Sequence, residues 1–397
     1  GPVRVKDESH FGYADGFRYR PIGTYCYLWH LGPEALREQT LTSLRRSPFN
    51  KVRMSVLPMT NRYIHLEPEL YPFEGSIRDG FDFDRPNPAC FARLEEAVLE
   101  LQKLGIEAEL ILLHPCDDGR YGFHRMTREQ EERYLRYVIA RFGAFRNIWW
   151  CLAYEHYRMA DKTPDDWERL FGILRECDAG QHLRSIQNAS AEWYDYGKPW
   201  ITHLSLRTHD VKVASDLTRD YNKPVVMDEC GAEGNLDNDW GSLLPEDLLY
   251  NVWEGNCRGG YVTYSEAYAA EDGAPLWMYN GGSLAGRSLD GIRFLKELLD
   301  VAPENVTYAS GSHDASTLFV RGEYYLQYFG AHKFLFRQFK MLEDNRYQVE
   351  LIDTWNLSIK PLPELFEETF RIDLPAKDYY ALRIRKVSEG SDGIDPA

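Results

Sequence analysis

The chain has 397 residues, 44% hydrophobic and 14% aromatic, which suits one barrel plus a smaller domain better than two equal halves. Its 46 basic and 62 acidic side chains leave a formal charge of -16, which repels nucleic-acid phosphates and anionic membrane surfaces. Seven cysteines stand singly, with no CxxC pair and an odd total, so neither a disulfide framework nor a zinc knuckle is indicated and a reducing compartment fits.

In chain order, a leader over residues 1–16 reads as irregular. Short apolar runs then alternate with helical patterns eight times: FRYRPIGTYCYLW, NKVRMSVLP, EAELILLHP, NIWWCLAYE, LRSIQN, ITHLSL, KPVVMDE and GGYVTYSEAY. The helices between them carry clear punctuation. Asn87-Pro88 opens one that Gly105 closes, Thr127 with Gln130 makes a capping box, and Thr163-Pro164 opens a third. Tyr134, Leu135, Val138, Ile139 and Phe142 recur at helical spacing as one apolar face. Near-continuous apolar strands alternating with amphipathic helices predict a (β/α)8 TIM barrel over 17–302. A doubly wound sheet is the rival, but no GxGxxG turn follows the first strand. Alternating stretches with Gly, Asn, Asp and Pro turns then predict an antiparallel β-sandwich accessory domain over 303–388, and the polar tail 389–397 reads as disordered.

A barrel of this type carries its active site at the C-terminal ends of the strands. Those ends bring Tyr25 and Trp29, Arg53, His114 with Asp117 and Asp118, Glu155, Asn188, His203 to His209, Asp228 and Glu229, and Glu266. Glu155 closes the fourth strand and Glu229 the seventh, nearly opposite each other around eight strands. Paired carboxylates across a cleft are what glycoside hydrolysis requires. Glu155, among Trp and Tyr, is expected to hold a proton as the acid, and Glu229 to stay ionised beside a cation such as Arg53. The plainer reading of Glu155 is a strand-end carboxylate paired with Arg158 or Arg146.

Period-2 alternation sends Asp228 and Glu229 to opposite sides, so only one faces the strand ends; if that one is Glu229, as the family resemblance given below implies, Asp228 is expected to accept backbone N–H groups, and Glu233 lies in the following loop within reach of substrate. Trp29, Arg53, His114, Asn188, His203 and Glu266 are candidate substrate contacts, with plain ion-pair or core roles as the alternatives for Arg53 and His114. Trp240 and Trp277 sit among Asn, Asp, Gly and Pro and are candidate sugar-stacking platforms, or structural tryptophans. His203, His209 and Asp210 lack a tight ligand motif, so a metal there is the lesser alternative, and neither a metal nor a cofactor is expected.

The runs GTYCYLWH, SPFNKVRMSV, LGIEAELILLHP, RNIWWCLAYEH, HLRSIQN, KPVVMDECGAEGN and EGNCRGGYVTYSEAY resemble a bacterial group of glycoside hydrolases related to the apiosidase-like enzymes, within the clan-A-type retaining (β/α)8 hydrolases. The resemblance covers about residues 15–300. It implies Glu155 as general acid/base and Glu229 as nucleophile. The clan normally has Asn before the acid/base glutamate, where it binds the sugar 2-hydroxyl; here Tyr154 holds that position as a candidate substrate contact. The clan's sixth-strand aromatic partner of the nucleophile is not evident, and His203 or His209 stands in its place.

The expected function is a retaining glycosidase acting on plant or microbial oligosaccharides or glycosides, with oligomerisation left open. The extension PMTNRYIHLEPELYPFEGSIRDGFDFDRPNP and the loop GAEGNLDNDWGSLLPED are expected to wall the site and favour exo action. A non-catalytic carbohydrate-binding barrel, and a glycosidase or transglycosylase of different stereochemistry, stay open as alternatives. No apolar run approaches the roughly 20 residues that span a bilayer. No secretory signal pattern is visible, which points to the cytoplasm; the leading Gly-Pro reads as a scar of tag removal, so a missing natural N-terminus leaves export open.

Overall fold

Nine short parallel strands, in sheets of five and four, form the centre of the computed structural model, which describes residues 1–189, 193–269, 276–311, 314–342 and 344–387. The first sheet contains Gly23–Tyr25, Lys51–Ser55, Glu107–Leu113, Ile148–Ala153 and Leu183–Ser185, each paired with the next in chain order. The second contains Gln187–Asn188, Leu204–Arg207, Val225–Glu229 and Tyr261–Val262. Only Ile186 separates Leu183–Ser185 from Gln187–Asn188, so one sheet runs into the other. At the far edges Thr24 bridges Tyr264 in parallel, and the Tyr264 N–H donates to Gly23 O at 2.8 Å.

Alternation along the strands sorts their side chains into two environments. Val52, Met54, Ala108, Leu110, Trp150, Leu152, Leu204 and Leu206 face the helices, where they meet Leu94, Val98, Val138, Ile139, Leu170 and Phe171 in the main core. Full burial of each such side chain contributes about 1.5–3 kcal/mol. The helices start where the punctuation predicts. Asn87 caps Pro88–Lys103 by accepting the Ala89 N–H at 3.1 Å, and Thr127 and Thr163 make capping boxes for Arg128–Phe142 and Pro164–Cys177.

The other set of strand side chains combines apolar residues such as Trp149, Leu183 and Val226 with a charged layer. Lys51 and Arg53 face Glu109 and Asp228, with Lys51 Nζ 2.7 Å from Asp228, Arg53 2.7 Å from Glu109 and 2.8 Å from Asp228, and Lys51 also against Glu109. Ser205 Oγ donates to Asp228 at 2.6 Å. All four charged side chains are fully buried, so the desolvation of two cations and two anions is offset only by their mutual pairing.

Residues 1–16 are more ordered than the irregular leader expected of them. Val3–Val5, Phe11–Tyr13 and Arg18–Tyr19 form a three-stranded antiparallel sheet across the N-terminal ends of the parallel strands. Its apolar side chains hold it there, with Phe11 packed 5.0 Å from Trp149 and 5.2 Å from Tyr261. Polar neighbours in the sequence conceal this, because strands of two or three residues leave too few positions for a period to show.

Beyond the Leu289–Asp300 helix, a six-stranded antiparallel sheet and a two-stranded pair, Phe336–Lys340 with Thr369–Asp373, form a C-terminal β-sheet domain. One face of the larger sheet packs on the Pro245–Cys257 helix, where Tyr328 lies 5.3 Å from Trp253. Its other face shares a core with the two-stranded pair, including Tyr347, Val349, Leu382, Ile384 and Ile372. The tail 389–397 lies outside the described residues. No helix among the described residues is long and apolar enough to cross a membrane.

Candidate active site

Asp228 and Glu229 occupy a β-bulge. The register between the sixth and seventh parallel strands passes from Leu206↔Met227 to Arg207↔Glu229, leaving Asp228 as the extra residue. Strict alternation is broken, so both carboxylates point inward, Asp228 to the buried ion network and Glu229 to a cavity one layer above it. This corrects the expectation that the two lie on opposite sides. Asp228 does act as an acceptor, but for the side chains of Lys51, Arg53 and Ser205 rather than for backbone N–H groups.

Glu155 follows the Ile148–Ala153 strand. The Tyr154 N–H continues the ladder to Leu113 O at 2.9 Å, and the chain then turns sharply. Glu155 takes the left-handed conformation, φ 45 and ψ 45, which costs a non-glycine residue about 1–2 kcal/mol. The Glu155 N–H donating to Gln187 Oε1 at 3.3 Å and the short 3-10 turn His156–Arg158 hold it in place. Backbone strain of this kind aims a side chain away from the direction that the strand would give it.

The two glutamates share a cavity of about 330 Å³. Glu229 accepts from the Tyr27 hydroxyl and, at 3.2 Å, from the Tyr154 hydroxyl. Arg207 Nε stands 3.0 Å from Glu229 Oε2, an ion pair whose N–H is not aligned as a hydrogen bond, and Arg207 NH1 stands 3.6 Å from Glu155 Oε1. One guanidinium therefore touches both carboxylates. Glu155 also accepts from Arg158 and, at 3.2 Å, from the Tyr157 hydroxyl. The Arg158 pairing is the plainer role expected for Glu155, yet it occurs inside the cavity rather than on open surface. Burial pushes the Glu229 carboxyl above its ordinary value, against the pull of Arg207 and the Tyr27 hydroxyl; Arg53 is a weaker influence.

Arg53 does not reach the cavity. Its place in the buried ion network corrects both the substrate contact and the role of principal cation beside Glu229, which Arg207 occupies. His203 precedes the sixth strand and sits at the opposite end, buried against Trp149 at 5.2 Å and Phe11 at 5.8 Å. Burial lowers its pKa to about 3. His114 is buried with Nε2 3.1 Å from Leu57 O and its pKa lowered to about 4, and it lines a separate cavity beside Asp117.

Asn188 is spent on a loop, exchanging hydrogen bonds of 2.9 Å with the Tyr194 backbone. Glu266 accepts from Tyr264 at 2.6 Å and from the Ala285 and Gly286 N–H groups, and so anchors that loop beside Glu233, which accepts the Ser288 N–H at 3.2 Å. Trp29 is fully buried in the core. Trp277 lies in the short helix Trp277–Asn280, buried, with Nε1 donating to Thr24 at 2.9 Å, so it offers no stacking face. Trp240 does line the cavity, but Arg207 lies 3.6 Å and His209 4.0 Å from its ring.

Tyr27, Arg207, Asn61 and Tyr279 line the cavity without being among the candidates from the sequence, and Arg158, expected only as an ion-pair partner, lines it with them. Tyr27 follows Tyr25 at period 2 and shares its face, a signal within TYCYLW that Tyr25 and Trp29 obscured. Arg207 is the last residue of the sixth strand, flanked by the histidines that drew attention to this end. Among the described residues no three His, Cys, Asp or Glu side chains are grouped to hold a metal ion.

A family model described as the apiosidase-like catalytic domain matches residues 29–254, and one described as a domain of unknown function, DUF5605, matches 313–385. A candidate glycoside hydrolase from Bacteroides vulgatus ATCC 8482 is 37% identical, with a TM-score of 0.92 over 98% of this chain and 82% of that one. A family 5 glycoside hydrolase from the same organism has a TM-score of 0.76 at 14% identity, over 99% of this chain and 94% of that one. The endo-beta-1,4-mannanase from Thermotoga petrophila has a TM-score of 0.51 at 13% identity, over 89% and 91%. At such identities these two share the fold alone. No curated protein matches the chain. With a family model over more than half its length and a 37%-identical relative along nearly all of it, the chain belongs to the apiosidase-like catalytic-domain family and is a glycoside hydrolase.

Proposed function

We propose that this glycosidase is retaining and exo-acting, with Glu229 as nucleophile and Glu155 as general acid/base at the mouth of a closed (β/α)8 barrel, backed by a two-layer β-sandwich. Barrel closure is supported by the continuity through Ile186 and by the Thr24–Tyr264 bridge. The observation that carries the mechanism is Arg207 in contact with both carboxylates inside one cavity. Its charge favours the ionised form of Glu229 against burial, and the hydroxyls of Tyr27 and Tyr154 fix the orientation of that carboxylate.

In the first step a Glu229 oxygen attacks the anomeric carbon as the bond to the leaving oxygen breaks, and Glu155 gives that oxygen its proton. In the second, Glu155 takes a proton from water, whose oxygen attacks the anomeric carbon and returns Glu229 to a carboxylate. For the first step Glu155 must give up its local pairing with the half-exposed Arg158. Tyr154 spends its hydroxyl on Glu229, so the clan's contact to the sugar 2-hydroxyl passes to another residue.

Exo action is supported by the walls. Met59, Thr60 and Asn61 face Leu236 to Gly241 across the cavity, and Asn238 Nδ2 donating to the Tyr63 hydroxyl at 3.0 Å and Arg62 paired with Asp237 at 2.5 Å tie the two loops together. Such a tie blocks one end of a cleft. The test is a panel of aryl glycosides and plant oligosaccharides with product anomers followed by NMR. First-formed product of retained configuration, released from chain ends, supports the proposal; inverted product or internal cleavage overturns it.

A further inference from the structure

At the N-terminal ends of the parallel strands, the leader, the Ala214–Tyr221 helix, the end of the Pro245–Cys257 helix and the segment entering the C-terminal sheet enclose a cavity of about 450 Å³. It lies at the opposite end of the strands from Glu155 and Glu229. Arg20 lines it and is only 9% exposed, yet no carboxylate, carbonyl or hydroxyl of the described residues accepts from its guanidinium, and its Nε is buried without a partner. The Tyr261 ring lies 5.8 Å from the guanidinium carbon.

The other cations of this wall are committed. Arg219 pairs with Asp216 at 2.9 Å and Asp220 at 3.0 Å, Arg258 pairs with Glu254 at 2.7 Å and donates to the Tyr308 hydroxyl at 3.0 Å, and His10 lies between Asp7 and Val306 O. The Thr218 hydroxyl, also on the lining, is a second buried polar atom without a partner.

A guanidinium that is largely buried and pairs with no anion is costly, and so is a buried hydroxyl without a hydrogen bond. Both costs fall if a ligand supplies an anion to the terminal nitrogens of Arg20 and, once the Thr218 side chain turns toward the cavity, a polar group to its hydroxyl. The planar fork of a guanidinium matches a carboxylate through two parallel N–H···O bonds. The Tyr261 and Tyr308 rings, with Thr218 and Asn222 between the charged groups, suit a hydroxylated ring. We propose that this cavity is a second ligand site that binds a small sugar acid of the uronic type, with its carboxylate on Arg20 and its hydroxyls on Thr218 and its neighbours.

The test is calorimetric titration of the whole chain with galacturonate and glucuronate, alongside galactose, glucose and inorganic phosphate, in the wild type and in Arg20→Gln, Thr218→Val and Glu229→Gln. The expected result is saturable uronate binding that weakens roughly tenfold in Arg20→Gln, through loss of a charge-assisted pair, and less in Thr218→Val. Glu229→Gln should bind as the wild type does. Uronate bound equally by wild type and Arg20→Gln, uronate lost in Glu229→Gln, or phosphate bound in its place would each overturn the proposal. Should Arg20→Gln fail to fold, unchanged uronate binding by Thr218→Val would overturn it.

Discussion

Asp228 and Glu229 are consecutive in the chain and both point into the protein interior, because the β-bulge at Asp228 turns two neighbours the same way. One enters a charge-balanced buried network and the other the cavity it shares with Glu155, so the same change at each is expected to have opposite consequences.

Asp228→Asn leaves Lys51 and Arg53 buried against Glu109 alone. Breaking a buried ion network from one side costs about 3–5 kcal/mol. Urea unfolding should show that loss as a lower midpoint at nearly unchanged slope. Glu229→Gln should lose turnover by orders of magnitude while its unfolding midpoint stays near that of the wild type, since it removes the proposed nucleophile rather than a core contact.

Arg207 opposes the burial that raises the Glu229 carboxyl. Replacing it with Met removes that opposition, so Glu229 binds its proton more tightly and is ionised only at higher pH. The acidic limb of kcat/KM should move upward by about 1–3 pH units. A pH profile of the variant checks this, and a limb left in place would assign the limb to another group.

Glu107 is buried beneath the site beside Tyr13 and Trp149, and burial raises it to about 7. The folded state therefore binds its proton more tightly than the unfolded chain. The stability this provides is fully present below about 4.3, the unfolded value, and is lost as pH rises through about 7. Glu107→Gln should flatten the pH dependence of unfolding across that window and exceed the wild type by roughly 3 kcal/mol above it.

The alternation of strands and helices, the helix caps and the glutamates at two strand ends could be read from periodicity and spacing, because each depends on local pattern. What could not be read depends on exceptions to pattern or on partners far away in the chain. The bulge at Asp228 is invisible to period-2 reasoning, and Arg53 and Arg207 look alike in sequence although one is buried beneath the site and the other lies in it. Trp277, which reads as a loop residue, is buried because Thr24, 253 positions away, accepts its indole N–H.

Glu155→Ala tests the two-glutamate mechanism most directly, assayed on one glycoside with a dinitrophenyl leaving group and one with an alkyl leaving group, with and without azide. Loss of the acid should slow cleavage of the alkyl glycoside severely and spare bond breaking for the dinitrophenyl one, whose leaving group departs without a proton. Azide should then restore turnover by attacking the glycosyl-enzyme without base assistance, giving a glycosyl azide of retained configuration. Equal loss on both substrates, with no glycosyl azide formed, would contradict Glu155 as acid/base and Glu229 as nucleophile.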